Sequence, residues 1–455
     1  MVPNQQNKTE QKNLTWWKLS LVGIGAIIGT GFFLGSSIAI KQGGPASLIA
    51  FFLAAIATYI VFDSLAKMTA SHPTKGSFRS YAKKAFGRWA GFSNGWVYWS
   101  SELLIMGSQL TALGIFSRFW FPNTPLWIFA SIYGVLGIIV ILTGLSGFER
   151  FENISAVIKV AAILMFIIVA GAAIFGLLDG NRPDRSFTYS YEGLFPNGVV
   201  GFWTAMIFAF YAFGGIEVMG IMANDLKDPK QAPKSGSLML LTLVTIYCTS
   251  LFLAIYLVSW DKFTADESPF VISLDNYSLA FVPHVFNGAL IIAGFSTMVA
   301  SLYAITTILN TLAKDGDAPF FFAKTGKRNI PFRALGLTIC GLILSIVASL
   351  LLPDKIFEYF TTAAGLMLLY TWLFILLSYR KLVKIGGFGK MKSFLGILLI
   401  GIAVSGTLFD STSRPGFFVS LLFIGLIGMV TLKMRTKWKQ EPPKKEPPTS
   451  LFEKK

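Results

Sequence analysis

Residues 25–35 read Gly25-Ala26-Ile27-Ile28-Gly29-Thr30-Gly31-Phe32-Phe33-Leu34-Gly35. They sit inside an apolar run from Leu19 to Ile40. A run of roughly 20 apolar residues crosses the hydrocarbon of a bilayer. Yet glycines fall at 25, 29, 31 and 35, and each weakens a helix interior by about 1 kcal/mol relative to alanine. Two readings follow. Gly25 and Gly29 form a GxxxG pair, which lets two helices pack closely. Alternatively the chain unwinds here, which at this depth is tolerated only where backbone lines a protein-buried cavity. There the free amides of a half-helix hold an anion and free carbonyls hold a cation.

The composition is that of an integral membrane protein. Of 455 residues, 54% are hydrophobic and 14% charged, with mean hydropathy +0.62; soluble proteins carry about 25% charged residues. Cys248 and Cys340 both lie in apolar runs, so no disulfide framework is expected. His72 and His284, the two histidines, stand in separate loops, which argues against a His-based metal site or a Ser-His-Asp triad. Gly91-Phe92-Ser93-Asn94-Gly95 matches a nucleophile elbow, but that motif needs a preceding strand and a catalytic histidine, and here it sits at the mouth of a span. No enzyme, cofactor or metal site is expected. The N-terminus is polar up to Leu14, so no cleavable signal peptide is expected either.

Window hydropathy predicts twelve spans, at about 18–40, 46–69, 92–118, 126–145, 154–178, 197–222, 237–259, 286–313, 333–352, 357–379, 393–409 and 415–433. An even count puts both termini on one side. Of the 39 Lys and Arg residues, 31 fall on that side, seven on the other, and Lys159 lies within a span. The positive-inside rule therefore places both termini in the cytoplasm of a multi-pass plasma-membrane protein. The net charge of +16 is a topology signal, and nucleic acid is not needed to explain it. Residues 1–17 form a cytoplasmic tail, 18–433 the membrane domain, and 434–455 a second, disordered cytoplasmic tail rich in proline and charge. Residues 76–91, with Phe78, Tyr81, Phe86 and Trp89 among cations, read as a short helix on the membrane surface.

Span 6 repeats the anomaly of span 1. It reads Phe208-Ala209-Phe210-Tyr211-Ala212-Phe213-Gly214-Gly215-Ile216-Glu217, with a Gly-Gly pair and a carboxylate in mid-membrane. Broken helices at corresponding positions of two halves point to an inverted-repeat transporter. The expected fold is an all-α membrane protein with a 5+5 inverted repeat. Spans 1–5 and 6–10 form the repeats, helices 1 and 6 are discontinuous, and two extra helices follow. Two facing breaks offer amides and carbonyls together, and an amino acid carries both matching charges.

Three charged groups stand out away from the span ends. Lys159 in span 5 either snorkels to the cytoplasm or faces the bundle beside the unwound part of span 1. In the second position a buried lysine is a candidate for proton exchange. Glu102, Met106 and Gln109 follow i, i+4, i+7 and share a face of span 3, which should point inward. Glu217 either acts directly in coupling or satisfies amides of the broken helix.

Taken in order, these motifs resemble one family. Ile28 to Gly35 looks like the first-helix signature of the amino acid–polyamine–organocation superfamily. Phe208 to Glu217, followed by Asp225 to Pro233, resembles its sixth-helix signature. Ile158-Lys159-Val160 resembles its fifth-helix pattern. Leu312 to Pro319, with Asn329-Ile330-Pro331, resembles the stretch between helices 8 and 9. The resemblance covers residues 18 to 433 and is nearest to bacterial amino acid permeases. It implies that the amides of Gly29, Thr30 and Gly31 take a substrate carboxylate. It implies that carbonyls at Ile27, Tyr211 and Gly214 take the ammonium, that Tyr211 is an aromatic gate, and that Ser101, Glu102 and Met106 line the side-chain pocket. Phe208 and Ala212 fall within the same sixth-helix signature and join the substrate site. Lys159 matches a lysine that replaces the ion of sodium-coupled members. Three positions depart from the pattern: Gln109 stands where many close relatives have Glu, Thr307 where many have Arg, and Asn224-Asp225 replaces Gly-Glu.

The resulting expectation is a permease that imports an amino acid with protons by alternating access within the lipid bilayer, with no nucleic-acid partner and an oligomeric state that the sequence leaves open. Met106 and the aromatics of span 6 favour a neutral, aliphatic or aromatic substrate. Glu102 is then carried protonated for part of the cycle or bonded to a neighbouring helix. The alternatives are a cationic substrate paired with Glu102, an exchanger, a sodium symporter using Ser296 and Thr297, and a receptor that binds without transport.

Overall fold

The computed structural model describes residues 14–440 apart from 75, 180–189, 276, 278, 280, 327–329 and 353–354. The described residues form helices and connecting turns, with one isolated bridge between Leu14 and Leu226. The first broken span is α1 (Trp16–Ile27), α2 (Thr30–Phe33) and α3 (Gly35–Gly43), followed by α4 (Ser47–Ser71). Next come α5 (Ser77–Phe86), α6 (Arg88–Arg118), α7 (Leu126–Leu142), α8 (Leu145–Ile174) and α9 (Tyr191–Leu194). The second broken span is α10 (Gly198–Tyr211) and α11 (Ile216–Met222), followed by α12 (Ala232–Leu257), α13 (Pro269–Leu274) and α14 (Val282–Lys314). Last are α15 (Phe332–Leu351), α16 (Ile356–Leu382), α17 (Gly387–Gly406) and α18 (Arg414–Gln440).

Among the described residues, nine helical stretches are long and apolar enough to cross a bilayer. The count differs from the expected twelve for identifiable reasons. Thr30–Ser71 runs on as one stretch through α2, α3 and α4, and α1 and α7 are short at 12 and 17 residues. At 31 residues, α6 is long enough, but it carries buried Glu102, Gln109 and several serines. The outward faces of the long helices are apolar. On α8, Val157 and Ile168 are each 70% exposed, while Lys159, Ile163 and Phe166 on the opposite side are fully buried. That is the inverse of a water-soluble helix and matches a lipid solvent.

Buried side chains form two clusters. The larger joins the broken spans with α4, α8, α12, α16 and α17. The smaller joins α6, α7, α14 and α15 around Met298 and Leu302. The two broken spans run antiparallel and are tied at both ends. At one end Lys227 N donates to the Leu14 carbonyl at 3.0 Å. At the other, Asn197 Nδ2 donates to the carbonyls of Lys41 at 3.0 Å and Gln42 at 2.9 Å. The breaks consequently meet at mid-length.

Two expectations are adjusted. The amphipathic segment at 76–91 is helical only over 77–86, and Trp89 already belongs to α6. Phe78 and Tyr81 are buried in the main cluster, because the apolar face of α5 covers α6 and α16 instead of lipid. The helix α18 runs to Gln440, so 434–440 are helical, while 1–13 and 441–455 of the expected tails lie outside the described residues.

Candidate functional site

The first break follows from its glycines. After Ile27 the backbone turns extended at Ile28 (φ −67°, ψ 111°) and at Gly29 (φ −152°, ψ −166°), then re-enters helix at Thr30. Leaving helix strands the last carbonyls of α1 and the first amides of α2. Among the described residues, the amides of Gly29, Thr30 and Gly31 donate to nothing, and the Ile27 carbonyl accepts nothing. A buried backbone amide normally has a partner, and these three, adjacent at the start of α2, are left with free donor capacity. Bulk is excluded as well. A Cβ on Gly29 would lie 2.8 Å from Thr297 Cγ2.

The second break turns at Gly214-Gly215. Gly215 has φ +110°, a conformation that side chains disfavour. Its amide donates to Glu217 Oε2 at 3.1 Å, and Trp372 Nε1 donates to Glu217 Oε1. Both oxygens of this buried carboxylate are therefore occupied in holding the turn. Gly214 N closes back on the Tyr211 carbonyl at 3.0 Å, and Tyr247 donates to the Ala212 carbonyl at 3.3 Å. The breaks touch: a Cβ on Gly215 would lie 3.4 Å from Ile27 Cγ1.

Tyr211, the last residue of α10, lies against the first break. Its ring lies against Gly31, where a Cβ would come within 2.8 Å of Cδ1 and 2.9 Å of Cε1. Its hydroxyl is 2.6 Å from Ser108 Oγ on α6. A bracket of polar side chains backs α2. Thr30 Oγ1 donates to Gln109 Oε1 at 2.5 Å, and Thr297 Oγ1 on α14 donates to the same oxygen at 3.0 Å. Gln109 thus joins α2, α6 and α14, a role that its departure from the usual Glu did not disclose.

Lys159 is fully buried and does not snorkel. Its ammonium donates to the Gly25 carbonyl at 2.9 Å and lies 3.4 Å from Glu152 Oε1. Ser296 Oγ donates to Glu152 Oε2 at 2.6 Å. The Ser296 and Thr297 hydroxyls, candidates for a sodium site, are both engaged within the protein. Glu152 escaped the sequence reading because it stands two residues before the span read at 154. Its signal was the spacing i, i+7 to Lys159.

The proposed side-chain wall is only partly assembled. Glu102 is buried on α6 beside Tyr98 and Ser301. Ser101 turns its hydroxyl onto the Tyr98 carbonyl of its own helix at 2.8 Å. Met106 packs in the smaller cluster with Met298 and Leu302. Phe208 and Ala212 are buried in the larger cluster. Ser93 of the elbow-like motif lies in the second turn of α6 and bonds Thr431 at 3.0 Å. No group of three potential metal ligands occurs among the described residues. A cleft of about 380 Å³ opens at the far ends of α3 and α10, lined by Lys41, Gln42, Asn197, Glu358 and Asp410; it contains no residue of either break.

A family model described as amino acid permease matches residues 18–392. The chain belongs to the amino acid permease family. It is a non-enzymatic, multi-pass membrane transporter whose substrates are amino acids. Over 435 residues the permease is 57% identical to a protein of Bacillus subtilis (strain 168) named Uncharacterized transporter YcgH, covering 95% of this chain and 98% of that one. It is 29% identical over 435 residues to the aromatic amino acid transport protein AroP of Escherichia coli O157:H7, covering 95% and 92%. It is 29% identical over 445 residues to the amino-acid permease RocC of Bacillus subtilis (strain 168), covering 92% and 94%.

Proposed function

We propose that this permease imports a neutral, apolar or aromatic amino acid together with protons, by alternating access between the two faces of the plasma membrane. The observation that carries the reading is the trio of unpartnered amides at Gly29, Thr30 and Gly31, set against the turn at Gly214-Gly215. The amides take the substrate carboxylate, and the carbonyls of Ile27, Tyr211 and Gly214 take its ammonium. Tyr211 covers the site as a gate. Phe208, Ala212, Ser101, Glu102 and Met106 shape the surroundings of the side chain. The name of the AroP relative supports an aromatic substrate.

In this reading the helices form twelve spans: the two broken spans, α4, α6, α7, α8, α12 and α14 to α18. The antiparallel pairing of the broken spans supports an inverted repeat of spans 1–5 and 6–10. Both termini are cytoplasmic. Coupling runs through Lys159, whose ammonium already occupies the Gly25 carbonyl, and the engaged hydroxyls of Ser296 and Thr297 favour protons over sodium. Glu217 serves coupling by fixing the turn of span 6.

The test is uptake of labelled phenylalanine into sodium-free proteoliposomes, with and without an imposed pH gradient, alongside counterflow. Gradient-stimulated uptake is expected. Uptake only with sodium would move the coupling to the sodium alternative. Counterflow without gradient response would make the protein an exchanger. Binding with no counterflow for any amino acid would make it a receptor.

A further inference from the structure

Lys159 has two acceptors and no contact with solvent. One acceptor, the Gly25 carbonyl, cannot take a proton. The other is Glu152, seven residues earlier on α8, or about 10 Å along the axis at 1.5 Å per residue. A lysine side chain on a helix reaches back toward the N-terminus, and this one closes that gap to 3.4 Å. The exposures decide the direction. The Lys159 side chain is 0% exposed and that of Glu152 is 18%.

We infer that Glu152 is the proton carrier between Lys159 and the aqueous phase at the Leu14 end of the bundle. The inference rests on Lys159 as the coupling cation. Gly25 belongs to α1, so a displacement of α1 during the transport cycle withdraws the carbonyl that fixes the ammonium. A buried ion pair that loses such a hydrogen bond is costly, and proton transfer turns it into an uncharged pair. The N–H bond of the Lys159 ammonium breaks and an O–H bond forms on Glu152, leaving an amine and a carboxylic acid. The acid then releases its proton to water at its exposed edge. Ser296, donating to Oε2, leaves Oε1 facing the lysine.

The surroundings keep this exchange private. On α8, Glu149 and Arg150 are exposed, and from α14 Tyr303 faces Glu149. On α1, Lys18 lies over the Trp17 ring, and on α12, Lys234 lies over the Trp16 ring. The ionisable side chains of α7 and α12 nearest the core are tyrosines, Tyr133 and Tyr247. Lys159 is the charged group paired with Glu152 among the described residues.

The test compares wild type, Glu152→Gln, Glu152→Asp and Glu152→His in sodium-free proteoliposomes, using the labelled amino acid that most stabilises the wild type to heat. Glutamine keeps one oxygen to accept from Lys159, and its Nε2–H can donate to Ser296 Oγ, but it takes up and releases no proton. Glu152→Gln should keep counterflow within about threefold and lose gradient-driven uptake by roughly tenfold or more. Glu152→Asp should restore uptake, and Glu152→His should restore it with a pH profile displaced by about one unit. Equal gradient-driven uptake in wild type and Glu152→Gln would overturn the carrier role alone. Parallel loss of counterflow in a folded Glu152→Gln would reduce Glu152 to a structural acceptor. A wild type without gradient-driven uptake would overturn proton coupling and this inference together. If Glu152→Gln does not fold, an unchanged pH profile in Glu152→His overturns the carrier role.

Discussion

The ammonium of Lys159 stands 2.9 Å from the carbonyl oxygen of Gly25, in the last turn of α1. In an unbroken helix that carbonyl would accept from Gly29 N. The break frees it, and the cation also meets the negative end of the α1 dipole. One side chain on α8 therefore both stabilises the break and holds α1 in place. Lys159→Ala should cost about 1–3 kcal/mol of stability, since it leaves a buried carbonyl unpaired. Net uptake should lose its dependence on an imposed pH gradient while counterflow persists. Both are read in sodium-free proteoliposomes, and an unaltered pH dependence would remove Lys159 from coupling.

The same contact is reachable from the other side without touching the charge. A Cβ on Gly25 would lie 2.4 Å from Ala156 Cβ on α8, closer than two such atoms approach. Gly25→Ala should push α1 off α8 and stretch the Lys159 bond. It should reproduce the coupling defect of Lys159→Ala in milder form, and in the double variant the two effects should not add. Full additivity in the pH-gradient assay would show that the alanine acts elsewhere.

At the first break the prediction is steric. Gly31 faces the Tyr211 ring at a distance that excludes any Cβ. Gly31→Val should displace Tyr211, obstruct the amides of Thr30 and Gly31, and abolish substrate binding without unfolding the protein. Thermal stabilisation by amino acids measures this directly. Normal binding in Gly31→Val would return the two broken spans to a packing role. Tyr211→Phe tests the gate more gently. It loses the bond to Ser108, worth about 1 kcal/mol, so binding should persist while efflux of bound substrate accelerates.

The positions of the breaks were legible because glycine in an apolar run is a local signal. Gly29 and the Gly214-Gly215 pair needed no partner to be noticed. The spacing of five spans then made the two breaks a pair. What stayed hidden depends on partners distant in sequence. Gln109 gained its meaning only from Thr30 and Thr297, 79 and 188 residues away. Hydropathy windows end where polar residues begin, so Glu152 fell outside its span. The periodicity of α5 disclosed an apolar face but could not say whether lipid or α6 and α16 would cover it. Met106 shares a face of α6 with Glu102 and Gln109 by its spacing. That face looks mainly at α14, and the methionine fills the smaller cluster there.

In the proposed reading, Glu102 bears on what is carried. Its carboxyl is buried beside Tyr98 and Ser301, and no cation pairs with it among the described residues. Glu217, the nearest second carboxylate, is held by Gly215 and Trp372. The two acids therefore do not form a free anionic pocket for a basic side chain. A cationic substrate would have to pair with Glu102 alone, and one buried pair seldom recovers the desolvation of both charges. The ring that lies against the first break is Tyr211, and an apolar side chain meets no such cost. Leucine and phenylalanine should therefore compete with a transported amino acid, and lysine and arginine should not. Glu102→Gln should change that ranking little and affinity by less than about tenfold, or 1.4 kcal/mol. Strong inhibition by lysine or arginine in wild type that vanishes in Glu102→Gln would make Glu102 a cation receptor and the substrate basic.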